Sequence, residues 1–273
     1  MLHYPNIDPN MLEFNLFGRD FAIRWYGFLY VLSFIIAYIF YRYTLKLKGV
    51  KVTREQYEGI IFAAMLGVIL GGRLGYVLFY NLPYYLRHPL EVFFVWQGGM
   101  SFHGGALGVI IAGLIFLKRQ KLKFYPVADP MMPFAAIGLG LGRLGNFINA
   151  ELWGKVTTLP WGMVFPEAGA KPRHPSQLYE ALLEGLVLFL VSLLLLKRRL
   201  KDGVVFWAFI GLYGVFRFLI EFVRVPDDLD VYRKYGYFLG FMTIGQILSA
   251  LMMVAAAIGI WHIYRKKPEK KEQ

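Results

Sequence analysis

The 273-residue sequence predicts an all-α integral membrane protein with seven transmembrane helices, its N-terminus periplasmic (outside) and its C-terminus cytoplasmic. Three observations carry this. Hydrophobic residues make up 57% of the chain and the mean hydropathy is +0.47, too apolar for a soluble domain of this length. Several runs of about 20 residues carry few or no charges, enough to cross a bilayer. Lysine and arginine also alternate along the chain between rich and poor connections. Segments 46–56, 118–123, 197–201 and 265–271 hold four, four, four and five, whereas 1–20, 81–100, 151–174 and 225–238 hold one, one, three and two. Positive residues stay cytoplasmic, so the poor segments form small outer-face connections and the number of spans is odd.

The spans lie in order within one polytopic membrane domain covering 1–273. The first, 21–45, comes after about 20 mixed residues with little positive charge; that is not a signal-peptide n-region, so the span is expected to be retained. The second, 57–80, contains Gly67, Gly71 and Gly75 at small-xxx-small spacing suited to close helix packing. The third, 101–117, is short and opens in QGGMSFHGGALG, where glycine pairs flank His103. The fourth, 129–150, is rich in glycine. The fifth, 175–196, opens in RHPSQLYE, the sixth, 203–224, holds Tyr213, Arg217 and Glu221, and the seventh is 239–264.

Composition excludes several functions. The net charge of +12 follows the loops, so it reports topology and contact with anionic membrane lipids rather than nucleic acid. Cysteine is absent, which removes disulfides, thiolate metal sites and a cysteine nucleophile of the chain's own. The five histidines show no HxxH or HExxH spacing, so no metal site is expected, and nothing points to a cofactor.

Charges inside the spans are the informative residues. From Pro130 to Ala150 Arg143 is the only charge. Such a residue is costly in a membrane unless it meets a partner, a wet cavity or an anionic ligand. Arg73, Arg143 and Arg217 each fall seven residues before the outer end of an inside-to-outside span, about 10 Å below the surface at 1.5 Å per residue. Arg24 lies near the outer start of the first span, and Arg42 and Arg224 lie near helix ends, where they can snorkel. Tyr26, His103, Asn146, Asn149, Glu151, Trp153, His174, Gln177, Tyr179 and Glu180 fall at the same outer level. Tyr213, Arg217 and Glu221 are four residues apart and share a face. Arginine forks match phosphate, and His103 at a glycine-flanked helix start has free N–H groups beside it. The residues therefore describe an outer-leaflet anion site, suited to a phospholipid headgroup. They leave open a structural arrangement in which Arg143, Arg217, Glu180 and Glu221 pair to fix helix packing, with Arg73 a packing residue, and also a transporter or flippase.

Several stretches carry a resemblance. SFHGGALGV (101–109), GRLGNFINAELWG (142–154), GGRLGYVLFYN (71–81), RHPSQLYEALLEG (173–185), YGVFRFLIEFVR (213–224) and RWYG (24–27) closely resemble the signature segments of bacterial prolipoprotein diacylglyceryl transferases, in order along nearly the whole chain. The resemblance implies transfer of the diacylglyceryl group of phosphatidylglycerol to the lipobox cysteine thiol of a prolipoprotein signal peptide. A thioether forms and glycerol phosphate leaves, the first step of bacterial lipoprotein maturation. It implies a multi-pass enzyme of the bacterial cytoplasmic (inner) membrane with its site toward the outer leaflet. By resemblance His103, Arg143 and Arg217 are catalytic: His103 as base or orienting group, the arginines on the headgroup and its departing charge. Tyr26, Asn146, Glu151, Gly154, Tyr213, Glu221, Arg73 and Gly104 are the implied substrate-binding set, with Glu221 orienting Arg217. The outer segment between Gly154 and His174 is short, where the family varies in length.

Overall fold

In the computed structural model the chain is mainly helical, and the structure describes all residues except 1, 17, 96–97, 227–231, 233–235 and 266–273, with the side chain of Arg19 also excluded. Most of the basic segment 265–271, much of the outer segment 225–238 and Gln97 thus lie outside the described residues. Among the described residues six helices are long and apolar enough to cross a membrane: α1 (Trp25–Lys48), α2 (Arg54–Phe79), α4 (Phe102–Arg119), α5 (Phe124–Ile148), α6 (Ser176–Lys197) and α8 (Ile244–Arg265). A seventh apolar helix, α7 (Val204–Ile220), has 17 residues, and α3 (Leu82–Arg87) is short. This is a multi-pass, all-α membrane protein.

Some helix ends differ from the sequence expectation, for local reasons. The first helix starts at Trp25 rather than 21 because residues before it pair as a hairpin, β2 (Asn10–Leu16) with β3 (Arg19–Arg24). Its pairs Leu12↔Ile23 and Phe14↔Phe21 put apolar side chains on one face, and the two phenyl rings stack at 5.8 Å. Residues 21–24, Arg24 included, are therefore strand rather than the start of a span. Helix α5 starts at Phe124, ahead of 129, and runs through Pro130 and Pro133. Helix α7 stops at Ile220, short of 224. Helix α8 begins at Ile244 rather than 239, behind a reciprocal cap: Gln246 N donates to Thr243 Oγ1 (3.1 Å) and Thr243 N to Gln246 Oε1 (3.0 Å). Thr53 and Gln56 cap α2 the same way. Within α6, Ala181–Val187 is a π-helical stretch.

The described residues form two compact units. In the unit formed by 37–127, α2 packs on α4 through glycines on both helices. A Cβ on Gly67 would lie 2.6 Å from Gly108 O, one on Gly71 would lie 2.7 Å from Gly108 Cα, and one on Gly75 would lie 2.7 Å from Gly104 Cα. The backbones touch because no side chain separates them, as the Gly67, Gly71 and Gly75 spacing predicts. Tyr41, fully buried, donates to Val127 O at 2.8 Å, and Tyr57 donates to the Tyr38 carbonyl.

In the unit formed by 1–36 and 128–273, Ala136, Leu188, Phe209 and Tyr213 make the core between α5, α6 and α7, with Met252 of α8 packed against it. Asp129, fully buried on α5, accepts the backbone N–H groups of Gly203 and Phe206 at 2.9 Å each and so caps the start of α7. A smaller core joins Tyr4, Met163 and Phe165. There β1 (Leu2–His3) pairs in parallel with β4 (Met163–Val164), and Tyr4 Oη donates to Ile148 O at 2.6 Å.

Replacing Gly71 by Val is expected to separate α2 from α4. Overpacking of this kind costs about 1–3 kcal/mol, so the unfolding midpoint in detergent should fall; an unchanged midpoint would contradict the close backbone contact.

Candidate active site

In the unit formed by 1–36 and 128–273, Arg143 and Arg217 meet on one carboxylate. Glu180, on α6 and 1% exposed, meets three arginines. Arg143 Nε of α5 is 2.6 Å from Glu180 Oε2; Arg217 Nη1 of α7 is 3.2 Å and Arg224 Nε 3.4 Å from Oε1. Arg217 also reaches back one turn, Nη2 lying 2.9 Å from Glu221 Oε2. Glu221 Oε1 in turn accepts from Thr243 Oγ1 at 2.9 Å. A second α6 carboxylate, Glu184, lies 3.7 Å from Arg143 Nε. Glu180 and Glu184 are four residues apart, so both project to the same side of α6. Three guanidinium groups thus face three carboxylates in an apolar surrounding, and the charges balance.

Exposure within the cluster is uneven. The Arg143 and Arg217 side chains are 16% and 14% exposed, whereas Glu180, Glu184 and Glu221 are 1%, 0% and 3%. The carboxylates form a floor, and the Arg143 and Arg217 side chains are the parts of the cluster that keep some exposure. An anion approaching it meets cationic forks first, already oriented by the ion pairs behind them. Arg224 is 4% exposed. It does not snorkel: α7 has ended at Ile220, and the chain turns back so that Arg224 bridges Gly154.

The turn after α5 supplies the rest. Asn146 Nδ2 and Asn149 Nδ2 donate to Glu151 Oε1 at 2.8 and 3.2 Å. Gln177 Nε2 and Ser176 Oγ at the start of α6 donate to the carbonyls of Glu151 (2.6 Å) and Leu152 (3.0 Å). These bonds tie the end of α5 to the start of α6, the helix that bears Glu180. Gly154 N donates to His174 O at 2.8 Å, and a Cβ at this glycine would lie 2.6 Å from Val223 O, so no other residue fits without a shift. Tyr26 of α1 lies within electrostatic reach of Glu151 and Arg143, and its hydroxyl is 3.4 Å from that of Tyr30. A Cβ on Gly145 would lie 2.6 Å from Tyr26 Cδ2, which explains the small residue two positions after Arg143. Tyr213 is buried beside Glu184, Arg143 and Arg217. In the segment between α5 and α6, burial first and then the Lys155 ammonium hold the His174 imidazole below its ordinary value. The ring nitrogen Nδ1 is 3.3 Å from Tyr179 Oη, which accepts from Trp161 Nε1 at 2.8 Å.

Arg73, His103 and Gly104 belong to the other unit. Arg73 is buried and uses its whole fork on backbone: Nε donates to Val92 O (2.9 Å), Nη1 to Gly98 O (2.5 Å) and Gly99 O (3.2 Å), Nη2 to Glu91 O (2.6 Å). It staples Glu91, Val92, Gly98 and Gly99 onto α2. Gly98 and Gly99, both at positive φ, turn their carbonyls to it. Ser101 caps α4 by accepting from Gly104 N at 3.2 Å, so His103 stands exposed in the first turn of α4. Among the described residues no group of three or more His, Asp or Glu side chains is placed to hold a metal ion.

The sequence model of the prolipoprotein diacylglyceryl transferase family matches residues 14–262. The chain belongs to this family. Among relatives in the family, a phosphatidylglycerol–prolipoprotein diacylglyceryl transferase of Geobacter sulfurreducens is 52% identical over 253 residues, 93% of this chain and 94% of that protein. Proteins of the same name from Shewanella sp. (strain ANA-3) and Bordetella avium are 48% and 47% identical, covering 99% and 94% of this chain and 99% and 95% of theirs. Family membership places the Arg–Glu cluster in a transferase; Glu184 and Arg224 belong to that cluster, and the sequence assigned neither to the site.

Removing Glu180 leaves buried arginines short of a counter-charge. Breaking a buried pair typically costs about 3–5 kcal/mol, so Glu180→Gln should lower the unfolding midpoint in detergent strongly. Glu151→Gln, at an exposed carboxylate, should lower it far less. Equal effects would contradict the central place of Glu180.

Proposed function

We propose that this chain transfers the diacylglyceryl group of phosphatidylglycerol to the lipobox cysteine thiol of a prolipoprotein signal peptide, in the bacterial cytoplasmic (inner) membrane and facing the outer leaflet. The observation that carries the reading is the pair of partly exposed arginine side chains, Arg143 and Arg217, held by ion pairs over a buried carboxylate floor. Family membership supplies the reaction; the cluster supplies what its phosphate needs.

The chemistry assigns the roles. The thiol reacts as thiolate, and His103 takes the thiol proton or orients the sulfur. The sulfur lone pair forms the new C–S bond at the glyceryl carbon. The C–O bond to phosphate breaks, and its electrons leave with glycerol phosphate. Negative charge grows on that phosphate as the bond breaks, and Arg143 and Arg217 hold it through bidentate hydrogen bonds. Glu221 orients Arg217 from one turn away. Asn146 and Glu151 position the lipid headgroup, Tyr26 and Tyr213 flank the arginines, and Gly154 gives the backbone its clearance. Arg73, with its fork occupied by carbonyls, and Gly104, at the close approach of α2 and α4, serve the substrate through the shape of their own unit.

Incubating the purified protein with phosphatidylglycerol and a lipobox peptide should yield a diacylglyceryl-thioether peptide by mass spectrometry, with release of glycerol phosphate. A folded protein in phosphatidylglycerol bilayers that yields none would contradict the assignment. Arg143→Lys keeps the charge and loses the fork. A hydrogen bond to a charged group is worth about 1.5–3 kcal/mol, so turnover should fall roughly ten- to a hundredfold; wild-type turnover would contradict bidentate binding.

A further inference from the structure

Glu184 is the carboxylate of the cluster that the proposed reaction does not use. It is fully buried in the π-helical stretch of α6. Neither of its oxygens accepts a hydrogen bond. Its ion pair with Arg143 is long, 3.7 Å, against 2.6 Å for Glu180 on the same nitrogen. Glu180 is shared by three arginines, and Glu221 has both Arg217 and the Thr243 hydroxyl at 2.9 Å. An ionised carboxylate buried without donors is far more costly than its neutral acid. Around Glu184 stand Arg143 on α5, Glu180 on its own helix, Tyr213 and Arg217 on α7, and Arg224 beyond it.

Charge balance makes Glu184 the group most open to change. Arg143, Arg217 and Arg224 are matched by Glu180, Glu184 and Glu221. A phosphodiester arriving at Arg143 and Arg217 adds one negative charge to a site with little water to screen it. The carboxylate with the weakest ion pair and no hydrogen-bond donor is the easiest to neutralise. We propose that Glu184 takes up one proton from solvent when an anionic headgroup phosphate binds at Arg143 and Arg217. The proton returns to solvent when the anion leaves. The inference rests on the headgroup reading of those two arginines.

Linkage fixes the sign. A complex that binds one more proton than the free protein tightens as pH falls, by up to about tenfold per pH unit while Glu184 titrates. Isothermal titration of detergent-solubilised protein with phosphatidylglycerol, in two buffers of different ionisation enthalpy, measures the uptake directly. The wild type should take up close to one proton per lipid, and Glu184→Gln should bind with no uptake and a flat pH profile. Infrared difference spectra of the wild type should show a protonated carboxyl band appearing on lipid binding, a measurement that stands even if the variant does not fold. Wild-type binding without proton uptake, unchanged uptake in Glu184→Gln, or no carboxyl band overturns the role of Glu184 while leaving the headgroup site intact. Arg143→Ala that binds phosphatidylglycerol like the wild type overturns the headgroup reading, and this inference with it.

Discussion

Glu180 is the constraint on which the unit bearing the candidate site depends. Three arginines drawn from α5, α7 and the turn beyond α7 would repel one another in an apolar medium, and one buried carboxylate on α6 holds them together. Glu221 and Glu184 complete the neutralisation. The ion pairs alone would describe a packing device. What makes the cluster a candidate site is its polarity in space: the carboxylates are sealed, and Arg143 and Arg217 remain partly accessible. An arginine oriented by a carboxylate behind it presents donors to an incoming anion without having to be ordered at that moment.

The same residue type does different work in the two units. Arg73 spends its fork on four backbone carbonyls, and it holds Glu91, Val92, Gly98 and Gly99 against α2. Arg143 and Arg217 are neutralised by charges rather than dipoles, an arrangement an anion can enter by sharing or displacing a carboxylate. The hydrogen bonds from Ser176 and Gln177 to the turn after α5 keep the two sides of the floor in register. Gly140 and Gly185 let α5 and α6 approach closely: a Cβ on Gly140 would lie 2.9 Å from Gly185 Cα.

The seven apolar helices were legible because span length and the lysine–arginine alternation are properties of the chain alone. So was the glycine stripe on α2, since its spacing is a single-helix feature; that α4 is its partner was not. Other signals were present but weak. Thr-x-x-Gln before α2 and α8 is a capping pattern, and the alternation Leu12, Phe14, Leu16 is a strand pattern beside a much stronger hydropathy signal. Which arginine meets which carboxylate was not legible, because one sequence does not fix which helices adjoin. Glu184 stood only within the stretch RHPSQLYEALLEG and was given no role. Arg224 read as a helix-end residue, and only the early end of α7 and the bridge to Gly154 turn it inward.

The measurement closest to the central claim is an experimental structure with phosphatidylglycerol bound. The account predicts the lipid phosphate within about 3 Å of the guanidinium groups of both Arg143 and Arg217, with Glu180, Glu184 and Glu221 still beneath them. A phosphate seated away from these arginines, with Arg143 and Arg217 still turned wholly into their carboxylates, would contradict it.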